Sequence, residues 1–287
     1  MTTRMFNRTL RAQWLGLHLR HLREKRKLSL ELAAEMLGRD RSALGRFERA
    51  EWPIQRPDVE HLLNIYGFYN AEARARMLAV ADEIWRIDRW DQNDGEVSHA
   101  GFIDVPWLES RAERISSYHS LVVPGLFQLP EYAELVIRCV EGPTAAESVI
   151  GKGLALRLER QRMLEREDHP YIETIVDESA LRRSIGGSAL HRTQLAHLAE
   201  IARRPRIDVR VLPASVGLHP GVDGSFWVFR MPAPYPPVAY QENRAGRLFL
   251  ESPKSEGFRD AYDRVAKAAL DPRASAELIA TIGEELP

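Results

Sequence analysis

The sequence has little of what marks secreted, membrane or disulfide-bonded proteins. Its 287 residues include one cysteine, Cys139, which excludes an internal disulfide and a cysteine-based metal cluster. A chain without disulfides suits a reducing compartment, so we expect a cytoplasmic protein. No stretch reaches about 18 uninterrupted apolar residues, so no membrane-spanning helix is expected. The first 14 residues carry charge but no apolar core, and therefore do not resemble a secretory signal.

The familiar motifs of metal, phosphate and nucleotide sites are also missing. The sequence has no His-Glu-x-x-His, no phosphate-binding loop and no Gly-x-Gly-x-x-Gly. Residues 151–153 (Gly-Lys-Gly) lack the flanking residues of a phosphate loop, and His18 and His21 have no third ligand placed beside them. The adjacent carboxylates Asp177 and Glu178 are typical of the start of a helix, where acids favour the helix dipole. We therefore expect no metal, no cofactor and no enzymatic activity.

Neither sign of charge is in excess, but charge is unevenly distributed along the chain. Lys and Arg number 40 and Asp and Glu number 41, which gives a net charge of −1. Residues 1–62 carry 13 Lys or Arg and 8 Asp or Glu, so this part is +5 and the remainder is −6. A basic N-terminal part followed by an acidic remainder is typical of a protein whose N-terminal part binds phosphates. A chance asymmetry is the alternative.

Residues 28–49, LSLELAAEMLGRDRSALGRFER, read as two short helices joined by a tight turn. Ser29 and Asp40 are placed to cap these helices, because their side chains accept hydrogen bonds from unpaired backbone N–H groups. Gly38 suits a left-handed turn after the first helix. Small residues such as Ala34 allow two helices to cross closely. The stretch therefore predicts a helix-turn-helix.

The whole sequence predicts an α+β protein in two parts. Leu15, Leu19 and Leu22 recur at helical spacing, and with the later periodic segments they predict a five-helix, all-α domain at residues 1–87. The polar residues 88–105 predict a linker. From 106 to 287, helical segments and alternating strands occur in segregated runs. This order predicts a mixed α+β domain.

Many positions of the N-terminal helices match one known pattern in order and spacing. They are Leu19-Arg20-His21-Leu22-Arg23-Glu24, Ser29, Ala33-Ala34, Leu37-Gly38 and Arg46-Phe47-Glu48-Arg49-Ala50. These residues resemble the helix-turn-helix of the Xre/repressor family of DNA-binding proteins, with Ala50 where the family usually has glycine. The resemblance implies a structural ion pair between Arg23 and Glu48 that ties the first helix to the recognition helix. Two independent surface charges are the alternative.

The second helix of a helix-turn-helix enters the major groove with its N-terminal residues near the base edges. The residues expected to contact bases are Arg41, Ser42, Gly45 and Arg46. The two arginines would each grip a guanine, and Gly45 would allow a close approach to the groove. The residues expected to contact phosphates are Ser29, Arg39 and Arg49. A solvated charged face is the alternative.

The C-terminal part carries a second series of matching segments. In order they are VPGLFQLPEYAELV, RLERQRML, DESALRR, QLAHLAEIA, VRVLP and GVDGSFWVF. They are similar to the C-terminal domain of an actinobacterial group of antitoxin-like Xre regulators, a domain with no established general function. The likeness implies a transcription factor that often acts with a small partner protein encoded nearby. It implies no known ligand.

Together these features favour a sequence-specific transcriptional regulator, cytoplasmic and associated with the nucleoid. It would bind double-stranded DNA as a homodimer on a near-palindromic operator, and its second domain would sense a small-molecule effector or bind a partner protein. An antitoxin-like interaction module and a DNA-targeted enzyme are the alternatives. Aromatic residues concentrate late in the chain, at Phe226, Trp227, Phe229, Tyr235 and Tyr240. Core packing is the simpler interpretation of them, and a ligand pocket is the other.

Overall fold

The computed structural model describes residues 10–85, 104–232, 236–244, 246–251 and 253–286. The chain divides into two compact units between Val105 and Pro106. The predicted linker at residues 88–105 lies almost wholly outside the described residues, and so does Tyr235. Of the helices described, none is long and apolar enough to cross a bilayer.

Within residues 10–85 the chain forms five helices, which confirms the all-α prediction for this part. They are α1 (Leu10–Lys25), α2 (Leu30–Leu37), α3 (Arg41–Glu48), α4 (Arg56–Ile65) and α5 (Ala71–Trp85). The Asn70 side chain accepts a hydrogen bond from the Ala73 N–H at 2.8 Å and so caps α5. Gly67 follows α4 with a φ of 60°, a left-handed conformation that glycine adopts without strain.

The core of the N-terminal unit takes one apolar face from each helix. Its buried side chains include Trp14, Leu15, Leu19, Ala33, Ala34, Leu44, Val59, Leu62, Leu63, Met77 and Ala81. Full burial of a leucine or valine stabilises a fold by about 1.5–3 kcal/mol, whereas helices as short as α2 and α3 are marginal alone. The shared core therefore holds these short helices in place.

The second unit combines helices with a sheet, which confirms the predicted mixed α+β domain. Its helices, the first of which spans the division between units, are α6 (Asp104–Arg111), α7 (Pro130–Glu141), α8 (Glu147–Gln161), α9 (Glu178–Arg182), α10 (Gly187–Ile201), α11 (Lys254–Ala268) and α12 (Pro272–Glu285). Its strands are β1 (Arg114–His119), β2 (Tyr171–Asp177), β3 (Ile207–Leu212), β4 (Phe226–Arg230), β5 (Val238–Asn243) and β6 (Gly246–Glu251).

The six strands form one sheet in the order β3-β2-β1-β4-β5-β6. β1, β2 and β3 are parallel, while β4, β5 and β6 are antiparallel to their neighbours. Parallel neighbours need a long crossover, which α7 and α8 supply between β1 and β2 and α9 and α10 supply between β2 and β3. The expected segregation of strands from helices therefore holds only for the antiparallel half of the sheet.

One face of the sheet packs on α11. Tyr118 of β1 lies opposite Ile175 of β2 and Phe226 of β4, and these side chains share a buried cluster with Tyr262 and Val265 of α11. Side chains two residues apart on a strand share a face, so Asp177 at the end of β2 lies on the same face as Ile175. Tyr118 and Asp177 are thereby brought to one end of the sheet.

The aromatic residues late in the chain mostly fill the core. Phe226, Phe229 and Tyr240 are buried. The Trp227 ring lies 5.0 Å from the His119 ring and 5.1 Å from the Tyr240 ring. Side-chain packing therefore accounts for these four residues.

α8 is continuous through Gly151 and Gly153. A methyl group added at Gly153 would lie 3.3 Å from Ile137 of α7, which shows how closely the two helices pack there. Each glycine costs about 1 kcal/mol of helix propensity. Tertiary packing outweighs that cost.

Candidate nucleic-acid interface

Residues 29–48 form the helix-turn-helix that the sequence predicts. The Ser29 hydroxyl accepts from the Leu32 N–H at 3.1 Å, and the Asp40 carboxylate accepts from the Ala43 N–H at 2.8 Å. Gly38 ends α2 with a φ of 74°. The two side-chain caps and the left-handed glycine together fix a three-residue turn between α2 and α3.

A bidentate ion pair joins α1 to the end of α3. The Arg23 guanidinium donates to both carboxylate oxygens of Glu48, at 2.7 and 2.8 Å, and to the Leu28 carbonyl at 2.9 Å. The two side chains are only 10% and 5% exposed. The hydrogen bond with Glu48 raises the pKa of Arg23. The structure thus brings together the two residues that the resemblance pairs.

Gly16 brings α1 into backbone contact with the same end of α3. A Cβ at this position would lie 2.6 Å from the Phe47 carbonyl oxygen and 2.7 Å from the Glu48 carbonyl oxygen. Backbone oxygens cannot move aside as a flexible side chain can, so this crossing requires glycine. Together with the ion pair, the contact fixes the C-terminal end of α3 on α1.

The opposite, N-terminal end of α3 is open to solvent. The Arg41 side chain is 67% exposed, and its guanidinium lies 3.2 Å from the Glu31 carboxylate of α2. The exposed Ser42 hydroxyl donates to Asp40 at 2.5 Å, and this bond, followed by the one from the Ala43 N–H, lowers the pKa of Asp40. The Ser42 oxygen keeps its lone pairs, and so can accept a hydrogen bond from an amino group.

Arg46 lies one turn further along α3 and is half-buried. Its guanidinium carbon is 4.5 Å from the centre of the Trp52 ring, a cation–π contact. Its Nε is buried and has no hydrogen-bond partner among the residues that the structure describes. Sequence reasoning missed this contact. An exposed tryptophan just after a basic helix was the available signal.

The prediction that Gly45 lies on the open face of α3 is wrong. The residue is buried. A Cβ at this position would lie 3.5 Å from Leu30 of α2 and 3.1 Å from the Arg49 guanidinium. Because α2 covers this side of α3, Gly45 allows the two helices to pack and does not face a groove.

The three residues expected at phosphates all have partners within the protein. Arg39 lies 3.1 Å from the Asp58 carboxylate, and the Ser29 hydroxyl is engaged in its cap. Arg49 donates twice to Glu51, at 2.8 Å each, which raises the pKa of Arg49. Both arginine side chains remain about half exposed. A phosphate at either would compete with an existing carboxylate.

The described residues offer no group of three His, Cys, Asp or Glu side chains that could hold a metal ion. α3 instead presents a guanidinium and a hydroxyl at its open end and, one turn further along, a second guanidinium over an indole. These are hydrogen-bond donors and acceptors of the kind that read base edges in a major groove.

Comparison with known families agrees with both units. A profile for a helix-turn-helix domain matches residues 14–77, and a profile for a domain of unknown function, DUF5753, matches residues 102–281. No curated protein and no solved structure matches the chain. The helix-turn-helix domain indicates DNA binding and a function in regulation. Since the second profile covers more than half of its length, the chain belongs to the DUF5753 family and carries a helix-turn-helix domain ahead of it.

Proposed function

We propose that this protein is a sequence-specific transcriptional regulator that reads double-stranded DNA with the N-terminal half of α3. The observation that carries the proposal is the asymmetry of α3. Its C-terminal end is fixed by the Arg23–Glu48 pair and by Gly16, while Arg41 and Ser42 at its N-terminal end are exposed. A rigidly held helix with an open, basic N-terminal turn suits insertion into a major groove.

The proposal divides the contacts into three kinds. Arg41 would donate to guanine O6 and N7, and Ser42 would accept from an amino group. Arg46 would donate to a base while the Trp52 ring holds its guanidinium, so its contact would depend on the loop that carries Trp52. Arg39 and Arg49 would meet phosphates and contribute affinity without sequence preference, since phosphate contacts position a protein but do not specify a base.

A single helix-turn-helix reads one half-site, so the proposal includes a homodimer on a near-palindromic operator. It also includes membership of the Xre family, in its antitoxin-like group, and a second domain that senses a small molecule or binds a partner protein. Neither domain is assigned a catalytic step. Residues 1–62 are basic and the remainder is acidic, which supports assigning DNA binding to the N-terminal part.

The test is a selection of binding sites from random duplexes, followed by fluorescence anisotropy of the full chain at several salt concentrations. Arg41→Ala should weaken binding to the selected site by about 1–3 kcal/mol and relax preference at one base pair. Binding to a scrambled duplex should change little. Arg273→Ala is the matched control, because Arg273 is another exposed arginine that pairs with a glutamate.

Two results would contradict the assignment. One is a selection that enriches no sequence, so that scrambled duplex competes as well as any selected site. The other is an equal loss of affinity for selected and scrambled duplexes in Arg41→Ala, which would make Arg41 a phosphate contact.

A further inference from the structure

A cavity of about 270 Å³ opens where the parallel strands β1 and β2 end. Its walls are Tyr118 and Ser120 at the end of β1, Asp177 at the end of β2, Ser179 in the first turn of α9, and the loop of residues 217–222. The carboxyl ends of parallel strands are a common place for ligands in sheets of this kind. All of these residues belong to the second unit.

One end of the cavity is polar and titratable. The Tyr118 hydroxyl donates to Asp177 Oδ2 at 3.0 Å, and burial, followed by the charge of Asp177, raises the pKa of Tyr118. His219 Nε2 lies 3.5 Å from the Tyr118 oxygen and 3.8 Å from Asp177 Oδ2. The Gly221 N–H donates to His219 Nδ1 at 3.1 Å, so the neutral imidazole carries its proton on Nε2, facing the other two groups.

Within the part of the chain that the structure describes, the carboxylate of Asp177 has no lysine or arginine partner in this cavity, and His219 Nε2, at 3.8 Å, lies beyond hydrogen-bond distance. It accepts from the Tyr118 hydroxyl and from the Ser179 N–H, which uses about half of its acceptor capacity. Among the described residues that line the cavity there is no lysine and no arginine. The neighbouring Glu178 is already paired with Arg182 and with the Ala214 N–H. The polar end therefore carries a partly buried negative charge with free acceptor sites.

The mouth of the cavity is apolar. Leu218 and Val222 line it, and they are 89% and 69% exposed. Both side chains belong to the loop that carries His219. An apolar rim beside a carboxylate suits a ligand with a charged head and a hydrocarbon body.

We propose that this cavity binds a small organic cation, with a protonated amine at Asp177 and Tyr118 and a short hydrocarbon part against Leu218 and Val222. An anion would meet the carboxylate without a lysine or arginine to compensate it. A neutral ligand without donors would displace water from the carboxylate without replacing its hydrogen bonds, and a neutral donor would supply a hydrogen bond but no charge. A protonated amine supplies both a charge and donors for the free acceptor sites. Control of DNA affinity by such a ligand would rest on the proposed function, but the binding itself does not.

The experiment compares three unbranched probes of four carbon atoms each, n-butylammonium, n-butanol and butyrate. Each is titrated into the full-length protein without DNA, and the ¹³C-methyl resonances of Leu218 and Val222 are followed. We expect a saturable shift in the millimolar range for n-butylammonium, which corresponds to about 0.8 kcal/mol per heavy atom and lies below the ceiling of about 1.5 kcal/mol per heavy atom for very small ligands. The other two probes should give no saturable shift at the same concentrations.

Asp177→Asn tests the carboxylate with little risk to the fold, because asparagine also caps helices and can accept from the Ser179 N–H. The substitution should lower the affinity for n-butylammonium by at least about tenfold, as expected when a charged hydrogen-bond acceptor is lost. Asp271→Asn is the matched control. Asp271 caps α12 through the Arg273 and Ala274 N–H groups and does not line the cavity, so binding should be unchanged.

The proposal is overturned if n-butylammonium gives no saturable shift on the wild-type protein, or if n-butanol or butyrate binds as well. It is also overturned if Asp177→Asn binds n-butylammonium with unchanged affinity. Because no DNA is present, these outcomes are independent of whether α3 reads bases.

Discussion

At the scale of single residues, two buried titratable groups have the clearest energetic consequences. One is the Arg23–Glu48 pair, which is nearly excluded from solvent. The two side chains hydrogen-bond to each other, and Arg23 also donates to the Leu28 carbonyl. The other is His119 at the end of β1, whose Nε2 lies 3.1 Å from the Ser117 hydroxyl. In both cases burial penalises a stray charge, because the interior solvates it poorly.

Removal of one partner of the Arg23–Glu48 pair should destabilise the N-terminal domain strongly. We expect Arg23→Ala or Glu48→Ala to cost about 3–5 kcal/mol, because each leaves a buried charge without its partner. The double substitution should cost less than the sum of the two. Calorimetry of all four proteins gives the coupling free energy.

The exposed Glu72–Arg76 pair on α5 is the control, and its coupling should be about 0.3–0.5 kcal/mol. Additive costs at Arg23 and Glu48 would show that the two side chains act as independent surface charges.

His119 should make the C-terminal domain sensitive to acid. Burial lowers the pKa of His119 to about 3, whereas a histidine in an unfolded chain has a pKa of about 6.5. Between these values the unfolded chain binds a proton that the folded chain does not, so stability falls as the pH decreases below about 6.5. From about pH 7.5 to pH 5.5 this proton uptake lowers the free energy of unfolding by about 1.4 kcal/mol.

We therefore expect the free energy of unfolding to fall by about 1.4 kcal/mol less in His119→Gln than in the wild type when the pH decreases over this range. The measurement is calorimetric unfolding of both proteins at the two pH values. The other titratable groups are common to both chains, so the difference isolates His119. An equal loss in the two proteins would contradict the assignment.

At the scale of elements, the position of α3 depends on how closely α1 approaches it. Helix starts and stops were predictable, because Ser29, Gly38, Asp40 and Asn70 act through local backbone chemistry. The face of α3 that packs on α2 was predicted less well. Gly45 was assigned to the open face, yet Leu30 of the preceding helix covers it. Sequence spacing gives the angle of a residue around a helix but not which neighbour reaches it.

Gly16→Ala should disrupt the crossing of α1 and α3. The added methyl would overlap two backbone oxygens, so we expect a loss of about 1–3 kcal/mol in stability and weaker binding to the selected DNA site. Gly151→Ala is the control, because this exposed glycine in the middle of α8 has no neighbour within 4 Å of an added Cβ.

The control should stabilise the protein by up to about 1 kcal/mol, the difference in helix propensity between alanine and glycine. Thermal unfolding and anisotropy measure the two effects. A Gly16→Ala protein as stable as the wild type would show that α1 can shift without cost.

At the scale of the whole molecule, the proposed regulator needs two helix-turn-helix domains on one operator. Two half-sites about one helical turn apart, about 34–36 Å, face the same side of the duplex. An insertion of about half a turn between them would turn one half-site away. We expect that insertion to reduce the affinity of the full chain to that of a single half-site. Anisotropy measures the affinity, and native mass spectrometry should count two chains on the intact operator. One chain bound equally tightly to both duplexes would contradict the dimer.

The sequence by itself determined what depends on local chemistry and on periodicity. It located the helix-turn-helix by its caps, the five N-terminal helices by their apolar spacing, and the Arg23–Glu48 pair by resemblance. These features depend on neighbours close in the chain, or on a pattern repeated at fixed spacing.

Only the tertiary structure decided what depends on residues far apart in the chain. The strand order β3-β2-β1-β4-β5-β6 and the partners of Arg39 and Arg41 belong to this class. So does the cavity that gathers Tyr118, Asp177 and His219 from three separate segments. The physical reason is that such contacts form when distant segments pack, and the sequence of one segment does not record which other segment will reach it.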